Sequence, residues 1–575
     1  MRLHFFMPMN SRLRNLGKIL SMLGPTWRSS PVRRILQSIC LIVFIVFFIY
    51  VCWPYGSSEY GEFFEAKEVI EAEIFLVLDP LVSISTAIAA RMWVWALGYA
   101  LAVLIVCLVL PRSFCAYVCP LGTLLDLFDW AFTGKVLKSR TRTYRSLANT
   151  RYYVLAAVLA AAGLGVMLSG FVSAIAVITR AMLFVVGSVQ MGLMKGWYLV
   201  PPMNAGHWIS IGMFVVLISL NLLERRFWCK YLCPTGAVFS VANLFRLSER
   251  KVRSRCVECG KCEEVCSFGA IKSDYTTRDL NCSFCQSCAG VCPVEAIEFT
   301  GRWNREESKA SSEISKNILL SRRNVIAGIG TVAVGAGLPV ALCKAARNSE
   351  AVVRPPGAVP EEEFLQLCVR CGQCIKVCPN NVLQPIDLEH GFDPLWTPKV
   401  TPDWSGCEPS CNNCGQVCPT GAIRALNLPE KQAARIGLAE VNKKTCLPYV
   451  GKEQCQLCVD ECKAAGYDAI EFVRVGGETA DNGEPIENSG VLAPVVLEDK
   501  CVGCGLCQMR CMAINVKDTH LLNEAAIKVV AGPGKEDRIF KGSYIELRDR
   551  RRKEQKPGGQ EQQGAGDDYL PDFFK

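Results

Sequence analysis

The sequence predicts a multidomain protein in which an α-helical membrane bundle, built on a duplicated helix pair, joins α+β polyferredoxin domains of the bacterial type. Three observations predict it. Twenty-four of the 32 cysteines fall into six four-cysteine sets with iron–sulfur spacing. Half of the 575 residues are apolar and a fifth charged, with the apolar residues concentrated toward the N-terminus. Within that apolar part a cysteine–proline motif recurs, Cys115 and Cys229 being 114 positions apart.

In chain order, residues 1–34 form a basic arm, with seven Lys/Arg and no Asp/Glu. Residues 35–250 read as the membrane domain. Uncharged apolar stretches at 35–53, 92–110, 152–171 and 205–223 approach the length that crosses a hydrocarbon core, and aromatic residues cluster at their ends, so about four spanning helices are expected. Two further stretches, 74–90 with Asp79-Pro80 inside it and 171–194 with Arg180 inside it, read as half-helices or interfacial segments. Loop charge sets the orientation. Residues 111–151 carry seven Lys/Arg against two Asp/Glu, whereas 54–73 carry six glutamates and one lysine. The N-terminus, the second loop and the first ferredoxin pair are therefore expected in the cytoplasm. The net charge of +9 follows from this topology, and nothing else suggests a nucleic-acid partner.

The duplicated motif is Phe114-Cys115-x3-Cys119-Pro120 and Trp228-Cys229-x3-Cys233-Pro234. Symmetry of the repeat would bring the four thiols together. Two readings stay open: a soft metal or further iron–sulfur centre, or buried structural or redox-active thiols.

Residues 251–300 form the first ferredoxin domain, with Cys256, Cys259, Cys262, Cys266 and Cys282, Cys285, Cys288, Cys292. A linker at 301–323 leads to an uncharged run at 324–343. Arg322-Arg323 precedes that run, as in a Tat export signal, which suggests a fifth membrane helix and an exported C-terminal domain. That domain, 344–547, holds Cys368, Cys371, Cys374, Cys378; Cys407, Cys411, Cys414, Cys418; Cys446, Cys455, Cys458, Cys462; and Cys501, Cys504, Cys507, Cys511. How these four sets pair is open. Residues 387–406 and 473–499 read as surface insertions suited to partner docking, and 548–575 as a disordered tail.

Three closely spaced thiolates grip one corner of a cubane and the fourth usually serves the neighbouring cluster, so six [4Fe-4S] clusters are expected. Zinc needs only two cysteine pairs, and six recurrences disfavour it; disulfide frameworks belong to small secreted domains. No C-x-x-C-H run marks covalent haem, and the four histidines, His4, His207, His390 and His520, are scattered. With no P-loop, no dinucleotide fingerprint and no flavin-attachment motif, neither NAD(P), ATP nor flavin is expected. A quinone site would have to use ionisable groups in or beside apolar segments: Asp79, Arg91, Arg180 and His207.

On these motifs, residues 35–300 resemble NapH, the membrane ferredoxin-type subunit of periplasmic nitrate reductase systems, and residues 321–545 resemble NapG and the related MauM. The chain looks like the two fused. The resemblance implies transfer of electrons from quinol through the clusters to a periplasmic reductase or electron carrier, in the bacterial inner membrane; a cytoplasmic donor is the alternative source. Proteins of the CcoG type also pair C-x3-C-P motifs with a two-cluster ferredoxin, and MauM belongs to a maturation operon. That likeness implies a second role, copper reduction or metalloenzyme maturation, with Cys115, Cys119, Cys229 and Cys233 as metal ligands.

Overall fold

The computed structural model describes residues 29–51, 74–133, 147–303, 351–476 and 490–555, with three isolated positions at 330, 337 and 341. The expected export signal and fifth helix at 324–343 lie outside the described residues, as do most of the basic arm and the linker. The chain divides into two compact units, Met1–Leu426 and Asn427–Lys575.

In the first unit, three helices are long and apolar enough to cross a membrane: Pro31–Ile49, Ala174–Met194 and Ala205–Leu222. Two match expectation. The stretches at 92–110 and 152–171 instead make shorter helices, Ala96–Val109 and Thr150–Gly163. Pro111 blocks extension of the former. The latter stops at Gly163, and the chain turns through Gly165, whose φ of 81° suits only glycine, before resuming at Ser169–Val172. The half-helix expected at 171–194 is continuous from Ala174, running through one π-helical turn at Leu183–Gly187. Arg180 does not interrupt it, because two carbonyls and a hydroxyl accept from Nη1 and Nε of the buried guanidinium, which lies over the Trp396 ring. The break at Asp79-Pro80 is present: Asp79 accepts the Leu81 amide at 3.0 Å and Pro80 opens helix Pro80–Ala90.

Both cysteine–proline motifs take the same local form. A π-helical turn, Phe114–Val118 or Trp228–Leu232, ends at the second cysteine, and the proline starts a nine-residue helix, Pro120–Phe128 or Pro234–Ala242. Arg112 and Arg226 precede these turns in the left-handed region, with φ of 49° and 54°.

The ferredoxin segments combine short helices with two-stranded antiparallel sheets. Strand Ser248–Val252 pairs with Ile297–Gly301 in the register Ser248↔Gly301 to Val252↔Ile297. Leu383–Pro385 pairs with Pro398–Val400. In the second unit Leu438–Val441 pairs with Ile527–Val530, and Ile470–Val475 with Val491–Val496.

Two expected surface segments differ. Residues 387–406 are largely buried: Leu395, Trp396, Thr397 and Val400 are core residues, because the segment packs on the helix bundle. The expected tail after 548 begins as helix, Tyr544–Gln555, in which Arg551 pairs with Asp537 at 2.6 Å.

Candidate iron–sulfur and quinone sites

Each ferredoxin segment folds its cysteines by one local device. After C-x2-C, a glycine in the left-handed region (Gly260, Gly372 or Gly505, φ of 75°, 77° and 81°) turns the chain so that the third cysteine rides the first turn of a short helix. The fourth cysteine lies at that helix's C-terminal end. It cannot close on the first three, so it faces the neighbouring set.

Three cavities display the result. Cys256, Cys259 and Cys262 line a cavity of about 360 Å³ with Cys292. Cys368, Cys371 and Cys374 line one of about 370 Å³ with Cys418. Cys446, Cys455 and Cys458 line one of about 360 Å³ with Cys511. The complementary thiols lie within electrostatic reach of one another: Cys282 and Cys288 with Cys266, Cys378 with Cys407, and Cys507 with Cys501, Cys504 and Cys462. Neighbouring sets therefore pair first with second, third with fourth and fifth with sixth.

These cavities fit iron–sulfur cubanes. Burial pushes the thiols of Cys371 and Cys458 up to about 12 and that of Cys446 to about 11, and neighbouring thiols add to it, so a cationic body in the cavity would favour their thiolates. Among the described residues, no three His, Cys, Asp or Glu side chains converge at the spacing of a single ion. Backbone amides donate to Cys266, Cys292 and Cys462 sulfurs at 3.2–3.3 Å, contacts of the kind that tune cluster potential. Cys285 runs against its neighbours: burial opposes ionisation, but Arg33 and hydrogen bonds from Ser287 and Ser283 outweigh it, and its thiol is lowered.

The C-x3-C-P thiols meet at one end of the helix bundle. Cys115, Cys119, Cys229 and Cys233 lie within electrostatic reach of one another, and Cys119 and Cys229 share an apolar cluster. They are not at single-ion spacing. Two arginines cross between the repeats. Arg226 donates to the Cys115 and Gly122 carbonyls, each at 3.0 Å, while Arg112 Nη2 stands 3.2 Å from where a Cβ on Gly236 would lie. Both guanidinia lie over the ring of Phe268, two residues past Cys266. Asp126 is the counter-charge, bonded to Arg226 and Arg33 at 2.8 Å and Arg34 at 2.9 Å. At this end Asn243 donates to the Asp279 and Cys282 carbonyls, and Arg151 to Asn281 at 2.6 Å.

The other end carries residues 351–426. Helix Ala205–Ser219 is about 22 Å long. Its first turn receives Trp396 Nε1 on the Gly206 carbonyl at 2.8 Å, and its far end leads to Arg226. Helix Thr150–Gly163 likewise carries Arg151 in its first turn and is followed by Met167, whose carbonyl accepts from Arg370 at 2.6 Å.

The four expected quinone-site residues are not gathered. Asp79 is fully buried as a cap and cross-brace, accepting from Ser173 at 2.8 Å and Thr235 at 3.2 Å. Arg91 caps helix Pro80–Ala90 with an exposed side chain. Arg180 donates to Ser210 at 3.0 Å and to the carbonyls of Gly170 and Arg370 at 3.1 and 3.0 Å, its guanidinium 3.7 Å from the Trp396 ring centre. His207 alone lines a cleft, of about 510 Å³, together with Phe184, Met191, Lys376, Asn381 and Gln384. Sequence reasoning missed Arg112, Asp126, Arg226, Arg370 and Trp396. The repeated arginine before each motif was a usable signal; the others depend on contacts between distant segments.

The profile of a 4Fe-4S dicluster domain family matches residues 367–422. A 4Fe-4S binding domain family matches twice, at 92–139 and 205–254, and a second such family matches 250–272. The methylamine utilization ferredoxin-type protein MauM of Paracoccus denitrificans is 34% identical over 232 residues, covering 38% of this chain and 92% of its own. The ferredoxin-type protein NapG of Escherichia coli is 34% identical over 206 residues (35% and 79%), and NapH of Haemophilus influenzae 28% over 241 residues (39% and 76%). No solved structure matches. This chain belongs to the MauM and NapG kind of ferredoxin-type iron–sulfur electron-transfer proteins, and is similar to NapH as well.

Proposed function

We propose that the protein relays electrons from membrane quinol through six [4Fe-4S] clusters to a periplasmic reductase or electron carrier. The observation that carries this reading is the double docking of ferredoxin segments: one segment with two cysteine sets sits at each end of helix Ala205–Ser219, each anchored by buried arginines. Three clusters would be held by Cys256, Cys259, Cys262 and Cys292, by Cys368, Cys371, Cys374 and Cys418, and by Cys446, Cys455, Cys458 and Cys511. The other three would be held by Cys282, Cys285, Cys288 and Cys266, by Cys407, Cys411, Cys414 and Cys378, and by Cys501, Cys504, Cys507 and Cys462. When bound, the cubanes supply one-electron carriers. The chain's residues fix their spacing, exclude water and donate amides to sulfur.

In this reading the protein is a multi-pass component of the bacterial inner membrane. The 251–300 domain lies in the cytoplasm and 344–547 in the periplasm, reached through the Tat-like segment at 324–343. EPR of the anaerobically purified, detergent-extracted protein before and after menaquinol tests it. New reduced-cluster signals are expected; silence toward menaquinol, with dithionite still reducing the clusters, would replace quinol by a cytoplasmic donor.

A second reading, copper reduction or metalloenzyme maturation, rests on the gathering of Cys115, Cys119, Cys229 and Cys233. Copper binding that is lost in a Cys115→Ala, Cys229→Ala double variant, with menaquinol oxidation retained, would favour it.

A further inference from the structure

The geometry points to the cleft between His207 and Gln384 as the place where the quinol head group binds and gives up its electrons, an inference that rests on the quinol reading above. The cleft has two chemically different walls. Phe184, Met191 and Met203 supply an apolar side, and His207, Lys376 and Gln384 a polar one. That pairing suits a flat apolar ring with two oxygens. Next to it, Leu193, Met194, Trp197 and Tyr198 are exposed at the end of helix Ser188–Met194 and in the turn after it, an apolar and aromatic rim suited to a lipid-borne tail.

Two acceptors face two hydroxyls. Asn204 Nδ2 donates to the Pro385 carbonyl at 3.0 Å, which turns Asn204 Oδ1 toward His207 Nδ1, 2.7 Å away. A carboxamide oxygen only accepts, so Nδ1 carries the proton and Nε2 keeps its lone pair. The Asn204 amide also approaches Nδ1, at 3.2 Å, which would suit the other tautomer; the shorter contact decides. Gln384 spends Nε2 on the Asn381 carbonyl at 2.6 Å, leaving Oε1 as acceptor. Lys376, its ammonium 4.1 Å from the Phe48 ring centre, adds positive charge that favours release of hydroxyl protons.

The electron path is short. Helix Gln373–Val377 carries Cys374 into the cluster cavity and Ile375 and Lys376 into the cleft wall. Leu183, on the cleft, packs so closely on Gly372 that a Cβ there would lie 2.8 Å from it. Quinol oxidation at this position releases two electrons and two protons. Each electron reduces one oxidised cluster, beginning with that of Cys368, Cys371, Cys374 and Cys418. One proton passes to His207 Nε2 and the other to bulk water, leaving quinone.

The test uses the full-length cluster-loaded protein, with 2-heptyl-4-hydroxyquinoline N-oxide as the binding probe, followed by quenching of its fluorescence, and EPR after menaquinol as the second readout. The variants are His207→Gln, which keeps a polar side chain able to donate to Asn204 Oδ1, and Gln384→Leu. Each should weaken probe binding about tenfold and slow menaquinol-dependent cluster reduction, with dithionite-reducible signals unchanged. Wild-type affinity and reduction in both variants would overturn this site and leave the quinol reading standing. A wild-type protein that neither binds the probe nor is reduced by menaquinol would overturn both.

Discussion

The two ends of the helix bundle are docked by different chemistry. At the end near the paired thiols, Arg33, Arg34 and Arg226 converge on one buried carboxylate, Asp126, and the guanidinia of Arg112 and Arg226 flank Phe268. At the end near His207, Arg180 and Arg370 donate to backbone carbonyls, Arg370 also facing the Asp393 carboxylate at 3.4 Å, and Trp396 and Phe392 pack on Arg180 and Phe171. Several guanidinia share one carboxylate at the first end, whereas at the second their charge is spread over peptide dipoles and the Asp393 carboxylate. The second end also keeps a cleft. An ion network centred on one buried carboxylate suits a fixed joint, whereas carbonyl docking leaves room beside the cluster for a substrate.

The largest expected effect tests the cluster sets that both ends share. If the sets exchange their last cysteine, Cys371→Ala and Cys418→Ala disable the same cluster. The double variant should then lose about four iron atoms per chain, as each single does. Iron analysis showing about eight lost in the double would refute the exchange.

Next comes the charged joint. Asp126→Ala leaves three arginines without their carboxylate, a change expected to cost about 3–5 kcal/mol and to lower the melting temperature well below that of the wild type. The same residue gives a pH signature. Burial opposes ionisation of Asp126, but Arg226, Arg33 and Arg34 hold its carboxyl far below the usual range. A depressed carboxylate stabilises the fold above its unfolded value, about 3.9, and that stability is lost as pH falls below it. Thermal unfolding of Asp126→Asn should therefore be less sensitive to acid than that of the wild type.

A smaller effect is expected at the carbonyl-docked end. Arg180→Met keeps the aliphatic stem but leaves the Gly170 and Arg370 carbonyls unpaired, for about 1–3 kcal/mol. Hydrogen exchange should rise in residues 367–396 and stay unchanged in 251–303; a rise in both would mean that the two joints are not independent. Arg91→Ala, at an exposed helix end, should change stability by less than about 0.5 kcal/mol and leave menaquinol-dependent reduction intact.

Much of the site was legible because iron–sulfur ligation is local. The spacing of Cys368, Cys371 and Cys374 is dictated by one loop around one cubane corner, and the sequence carries that spacing whole. Asp79-Pro80 was equally legible, since a cap and a proline act within three residues. Helix length was less so: periodicity carried 152–171 past Gly163, where the chain turns. Residues 387–406 misled for a related reason, their Pro, Gly and acidic residues signalling a loop without saying what it packs against.

Composition and spacing by themselves determined the candidate four-cysteine sets, the apolar helices and the repeated cysteine–proline turn, because each is encoded within about twenty consecutive residues. Only the tertiary structure decided which fourth cysteine closes which cavity, that Arg180 and Asp79 serve as buried braces, and that His207 meets Gln384 across a cleft. Those outcomes depend on segments up to about 200 residues apart, whose meeting is fixed by packing and by the cost of leaving buried charge without partners.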